Sequence, residues 1–153
     1  AWTYMRMLGR QGIRGTAEAS VLNNAYLTSL LETHYELPFG RGMHESVFSA
    51  SEIKKRTGVK TMDIAKRLLD FGFHAPTVYF PLNVPEALMT EPTETETKES
   101  LERYAEACIA IATEAESDPE RVTTAPHDTP LRRLDEGRAA RELDLRWTFE
   151  SED

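Results

Sequence analysis

The feature that most limits how this chain can fold is the punctuation between residues 61 and 90. Apolar residues at Ile64, Ala65, Leu68 and Leu69 recur at helical spacing and then stop at Gly72. A glycine after the last periodic residue is the usual left-handed helix stop, so the spacing predicts a helix over residues 62–71 with Thr61 as its N-cap. Thr77, Val78, Tyr79 and Phe80 form a β-branched and aromatic run. A second candidate strand, residues 87–90, follows the proline-bounded connection from Pro81 to Pro85, and the two are expected to pair antiparallel. A helix followed by two short strands requires a layered arrangement of helices on a sheet.

The flanking sequence extends this pattern. Residues 2–8 read as the end of a helix stopped at Gly9, and a second helix is expected over residues 17–33. Val21, Leu22, Ala25, Tyr26, Leu27, Leu30 and Leu31 cover most of its circumference, more than one buried stripe needs, so it should be covered on more than one side or lie at an interface. Residues 43–49 read as a strand. Ser51 is placed to cap a short helix that Gly58 ends. Thr93 and Glu96 have capping-box spacing, and the helix they would open carries Leu101, Tyr104, Ala105, Cys108, Ile111, Ala112 and Ala115 at 3–4 residue intervals, to about residue 116. The order is helix, strand, helices, strand, strand, helix. That predicts an α/β or α+β fold, a small antiparallel sheet covered by helices.

With 153 residues and 40% apolar composition, one hydrophobic core is the default. The domain is assigned to residues 1–118. Residues 119–153 read as a charged tail docked on a surface through Trp147 and Phe149. No long apolar run suggests a membrane span and no basic-then-apolar opening suggests a signal peptide. Cys108 is the single cysteine, which fits a reducing compartment and a core position. A soluble, cytoplasmic protein is expected. The net charge of −8 disfavours nucleic acid as a partner.

Among His34, His44, His74 and His127 no pair has the spacing of a helical metal site, so no metal centre is expected. His44 and His74 each open a predicted strand and are candidates for a shared cleft. A turn or strand-end hydrogen bond is the simpler role for either. Glu91, Glu94 and Glu96 lie at or before a predicted helix start, where the helix dipole alone would account for them. His74, Ala75, Pro76 and Thr77 join a helix stop to a strand, so a rigid backbone there could aim an imidazole and a hydroxyl at a ligand. Residue chemistry carries the reading no further.

Several longer stretches resemble one known family. They are residues 17–27 (AEASVLNNAYL), residues 63–77 (DIAKRLLDFGFHAPT), residues 91–94 (EPTE), and the later LRRLDE and AAREL runs at 131–136 and 139–143. In order and content they resemble the P-protein of the glycine cleavage system, glycine dehydrogenase (decarboxylating). The connection at residues 80–88 is more similar to the second subunit of its two-subunit form.

The resemblance implies the C-terminal small domain of a fold-type-I pyridoxal-phosphate transferase. It implies decarboxylation of glycine with pyridoxal 5'-phosphate as the electron sink, and transfer of the aminomethyl group to the lipoyl arm of H-protein. The other P-protein subunit is an implied partner, in a heterotetramer of two subunit types. The family's Schiff-base lysine follows a histidine in a motif that has no counterpart here, since no His-Lys pair occurs, so no catalytic residue is assigned to this chain and the chain alone is expected to be inactive. Aminotransferase relatives carry a carboxylate-binding arginine where residues 86–88 would align, and none stands there. A reaction that expels the carboxylate gains nothing from a tight ion pair in the ground state. The expected lining of the substrate and cofactor cleft is His74 and Thr77, with His44 and Glu91 less central. The alternative is a non-catalytic partner-binding module that keeps the small-domain fold.

Overall fold

A computed structural model describes residues 1–147. The elements run α1 (Trp2–Leu31), β1 (Ser46–Ser49), α2 (Ser51–Thr57), α3 (Thr61–Asp70), β2 (Thr77–Val78), β3 (Ala87–Thr90), α4 (Lys98–Ser117), α5 (Pro119–Thr123) and α6 (Glu136–Arg141). The expected order of helices and strands is present. The three strands form one antiparallel sheet in the order β1-β3-β2, with Phe48 opposite Leu88 and Thr77 opposite Met89.

α4 is the central helix, in contact with α1, α2, α3 and α5. Its buried residues Leu101, Ala105, Cys108, Ile111 and Ala115 follow the expected helical spacing. Opposite them lie Leu27 and Leu31 of α1, Ile64 and Leu68 of α3, and the paired Phe48 and Leu88 of the sheet. Val47 and Met89, one residue along each strand, are only half-buried, as the two-residue period of a strand requires. Each large aliphatic side chain removed from water here contributes about 1.5–3 kcal/mol. Polar side chains tie the layers where they meet. Thr28 and Ser46, both buried, share a hydrogen bond of 2.9 Å between α1 and β1, and the Tyr35 hydroxyl donates to the Cys108 carbonyl at 2.8 Å.

The helix stops are those the sequence announces. Gly58 (φ 79°) ends α2 in the left-handed region. At the end of α3, the Gly72 N–H donates to the Leu69 carbonyl and the Phe73 N–H to the Leu68 carbonyl, with Gly72 at φ 79°. This closes a Schellman turn and seats Phe73 against the core. At the other end of α3 the Lys60 N–H donates to the Asp63 carboxylate, while Glu86 accepts from the Thr61 N–H at 2.9 Å.

Five boundaries differ from the sequence reading. β2, read as residues 77–80, ends at Val78 because Tyr79 turns into the left-handed region at φ 58°. Gly9 (φ 61°, ψ −175°) does break α1, but the helix resumes at once and runs through Gly12 and Gly15, long before residue 17. Intrahelical side-chain bonds cross that stretch, Thr16 to the Gly12 carbonyl and Arg14 to Glu18. β1 begins at Ser46 because residues 43 and 44 form a bend. Thr61 is the first residue of α3, not its cap; its hydroxyl donates instead to the Glu86 carbonyl at 2.7 Å. The Thr93/Glu96 capping box does not form, and Thr97 caps α4 by accepting from the Ser100 N–H at 3.1 Å. The preceding turn is held from α1, where Asn23 donates to the carbonyls of both Thr93 and Glu96.

Beyond residue 118, Val122 and Ala125 are fully buried against the core. Asp70 accepts the N–H groups of His127 at 2.6 Å and Asp128 at 2.9 Å, and Arg133 reaches Asp63 at 2.8 Å. From residue 131 to residue 147 the chain is exposed. Phe149 lies outside the described residues, so its expected pairing with Trp147 does too.

Candidate functional site

β1 and β2 lie on opposite sides of β3 and both run antiparallel to it, so both begin at the end where β3 stops at Thr90. The segments leading into them, with His44 and His74, therefore meet the Glu91–Pro92–Thr93 exit from β3 at one end of the sheet. A hollow of about 400 Å³ opens there. Leu27, Phe73, Met89, Leu101 and Tyr104 make its apolar walls, and His74, Thr77, Glu91, Glu96 and Ser100 supply the polar groups. Its position follows from the Schellman turn. That turn reverses the chain at Gly72, sends Phe73 inward, where it packs edge-on to Tyr104 (5.3 Å, 87°), and leaves His74 exposed at the mouth.

A second hollow, about 320 Å³, lies on the other side of the same exit and is lined by His44, Met43, Ser20, Val21 and Glu94. Glu91, Pro92 and Thr93 line both. The His44 imidazole is 4.0 Å from Glu91 and 3.9 Å from Glu45. Of the four residues singled out from sequence, His74, Thr77 and Glu91 share the first hollow, whereas His44 shares the second with Glu91. The two histidines thus flank one ridge instead of facing each other, because β3 lies between the strands they introduce.

Sequence reasoning overlooked Ser100 and the pair Asn23 and Asn24. Ser100 donates its hydroxyl to Glu96 at 2.7 Å, which orients that carboxylate at the rim. Tyr104 lines the first hollow, and Cys108 lies one helical turn further along α4, buried in the core. Burial, with the neighbouring Cys108, raises the Tyr104 phenol well above its ordinary value, and burial pushes the Cys108 thiol up to about 12 despite its contact with Tyr104. Both are neutral at physiological pH, so the single cysteine is not a nucleophile in this fold. No group of three or more His, Cys, Asp or Glu side chains among the described residues is arranged to hold a metal ion.

A phosphorylated aldehyde cofactor calls for cations around its phosphate and a lysine at its aldehyde. Neither is supplied here. None of the five lysines lines the larger hollow. Lys54 is engaged by Glu86, Lys55 by Glu52, and Lys98 by Glu102. The rim carries the carboxylates of Glu91 and Glu96, and no arginine lines it. The described residues do not by themselves fit such a group.

Comparison with known proteins bears on what the hollow belongs to. Residues 16–134 match the model of the family described as glycine dehydrogenase, C-terminal domain. Over 146 residues, 95% of this chain, it is 59% identical to a protein of Chlorobium phaeobacteroides named probable glycine dehydrogenase (decarboxylating) subunit 2. Proteins of the same name from Chlorobaculum tepidum and Shouchella clausii are 56% identical over 146 residues and 52% identical over 153 residues. These alignments cover 30%, 30% and 31% of the relatives' lengths, so the chain spans about a third of each protein it matches.

Proposed function

The chain belongs to the glycine dehydrogenase C-terminal domain family, and from that premise we propose that it is the small domain of a glycine-decarboxylating enzyme, furnishing one wall of an active site completed by other parts of the protein. The observation that carries the reading is the gathering of His74, Thr77 and Glu91 around one apolar-walled hollow at the end of the sheet. The full protein would decarboxylate glycine within the glycine cleavage system and pass the aminomethyl group to the lipoylated H-protein. Pyridoxal phosphate, held by residues outside this stretch, would supply the electron sink. A cytoplasmic location and assembly with the other P-protein subunit belong to the same proposal.

The contribution of this chain's own residues follows from their placement. Leu27, Met89 and Leu101 give the hollow a low-dielectric wall that excludes water and strengthens polar contacts at its rim. His74 and Thr77 project from a segment fixed by the Gly72 stop and by pairing with Met89, so a ligand at the mouth would meet an imidazole and a hydroxyl at set positions. Glu91 and Glu96 disfavour an anionic group and favour an ammonium-bearing one. Large apolar side chains left open on α1 support a piece that normally meets more protein: Trp2 is 72% exposed, Met7 81% and Leu22 69%. The exposed stretch from residue 131 to residue 147 would dock on that same remainder.

The test is glycine-dependent CO2 exchange by the full-length enzyme with its partner subunit and lipoylated H-protein, comparing wild type with H74A. The reading predicts a loss of about tenfold or more in kcat/KM. Exchange at the wild-type rate would remove His74 from the site. A full-length wild type without any exchange would favour a binding module instead.

A further inference from the structure

We infer that Asn23 and Asn24, adjacent on α1, are positioning residues that clamp the two loops on either side of the Glu91 ridge and so set the shape of both hollows, an assignment that rests on the cleft reading above. The Asn23 side-chain amide donates to the Thr93 carbonyl at 2.8 Å and the Glu96 carbonyl at 3.1 Å. Both donors of one nitrogen are thereby used, and they span the turn between β3 and α4. Asn24, 1% exposed, donates to the Gly42 carbonyl at 3.2 Å and the Met43 carbonyl at 3.3 Å.

Successive helical residues diverge by about 100°, so neighbours on one turn address different loops. Asn23 holds the loop that carries Glu91, Thr93 and Glu96, and Asn24 holds the bend that carries His44. Asparagine is a poor choice for the middle of a helix on propensity grounds, and two in a row call for a tertiary reason. Here each supplies two donors on a short side chain to backbone carbonyls of a loop beside α1, the Thr93 carbonyl also accepting the Glu96 N–H at 3.2 Å. The bend at residues 42–45 is tight, since a Cβ at Gly42 would fall 1.9 Å from the Glu45 carbonyl oxygen, and the Asn24 amide fastens it to α1. The Asn24 Oδ1 has no hydrogen-bond partner among the described residues, so that side chain is placed for what its nitrogen does. The sites are separated by about 70 residues of sequence in one case and 18 in the other, which is why neither clamp is visible in the local pattern.

The experiment uses the full-length protein and hydrogen exchange read by mass spectrometry. N23D keeps the shape of the side chain but replaces donors with acceptors. It should raise exchange over residues 91–97 about tenfold while residues 42–46 and α3 stay at the wild-type level. N24S should do the reverse, loosening residues 42–46 alone; should it fail to fold, N23D decides. In glycine kinetics, N23D should raise KM about threefold or more with kcat within about twofold of wild type, since the loop shapes the pocket and does no chemistry. Unchanged exchange over 91–97, or an equal rise throughout the protein, overturns the clamp. A loosened loop with unchanged KM overturns the positioning role. A wild type inactive towards glycine would refute the proposed function while leaving the exchange test of the clamp intact.

Discussion

Replacing Asp70 with asparagine should destabilise the fold by about 2–3 kcal/mol at neutral pH, with a pH dependence that identifies the cause. The Asp70 side chain is 1% exposed. One oxygen accepts the N–H groups of His127 and Asp128, the other the Arg67 guanidinium at 2.8 Å. An amide of the same shape can serve only one of these sides, because its NH2 must face either the two N–H donors or the arginine. Removing one member of a buried pair costs about 3–5 kcal/mol when the other is stranded. Arg67 is not stranded, since Glu114 holds it through two bonds of 2.8 and 3.0 Å, which places the expected loss below that range. For a chain of this size the loss corresponds to a fall of about 4–10 °C in Tm. Burial pushes the Asp70 carboxyl up, but the Asp128 N–H, Arg67 and the His127 N–H together outweigh it and hold it below its ordinary value. A depressed carboxyl stabilises the fold above its unfolded pKa, about 3.9, and that contribution is lost as pH falls through the folded value. Urea denaturation of wild type and D70N should therefore differ most near neutral pH and converge in acid. Equal stability at neutral pH, or a gap that persists unchanged into acid, would refute the reasoning.

Other consequences are as direct. Leu68→Ala removes a side chain with 0% exposure and should cost about 2–5 kcal/mol in urea denaturation; a loss under 1 kcal/mol would mean the core under α3 is not packed as described. Gly42→Ala puts a Cβ 1.9 Å from the Glu45 carbonyl oxygen and should destabilise by about 1–3 kcal/mol, whereas Gly15→Ala, with open space around it, should be neutral or stabilising by up to about 1 kcal/mol in the same assay. Cys108, buried and held neutral, should resist iodoacetamide at pH 8 in the folded protein and react once unfolded; rapid native alkylation would contradict its environment.

What the sequence revealed and what it hid divide by range. Gly58 and Gly72 announced their helix ends because a left-handed stop is a local matter, and residues 77–80 and 87–90 announced a pair because β-branched and aromatic runs beside prolines have few other uses, though the first strand stops at Val78. Residues 43–45 read as the start of a strand, yet 43 and 44 form a bend that follows the tight approach at Gly42 and is held by Asn24 of α1. Thr93 and Glu96 had the spacing of a capping box, but Asn23 engages the carbonyls of that turn and Thr97 takes over as cap. His74 and Thr77 drew attention through their place between a helix stop and a strand. That Glu91 stands between two hollows, with His44 on the far side, follows from strand order, which no local pattern encodes.

The central claim is that this chain walls a site whose reactive lysine lies elsewhere. It is tested most directly by treating the isolated chain and the full-length protein with pyridoxal phosphate, reducing with borohydride, and mapping any labelled lysine by mass spectrometry. The account predicts no specific label on the chain alone and, in the full-length protein, one labelled lysine outside the 153 residues described by this sequence. A stoichiometric label on Lys54, Lys55, Lys60, Lys66 or Lys98 would contradict it.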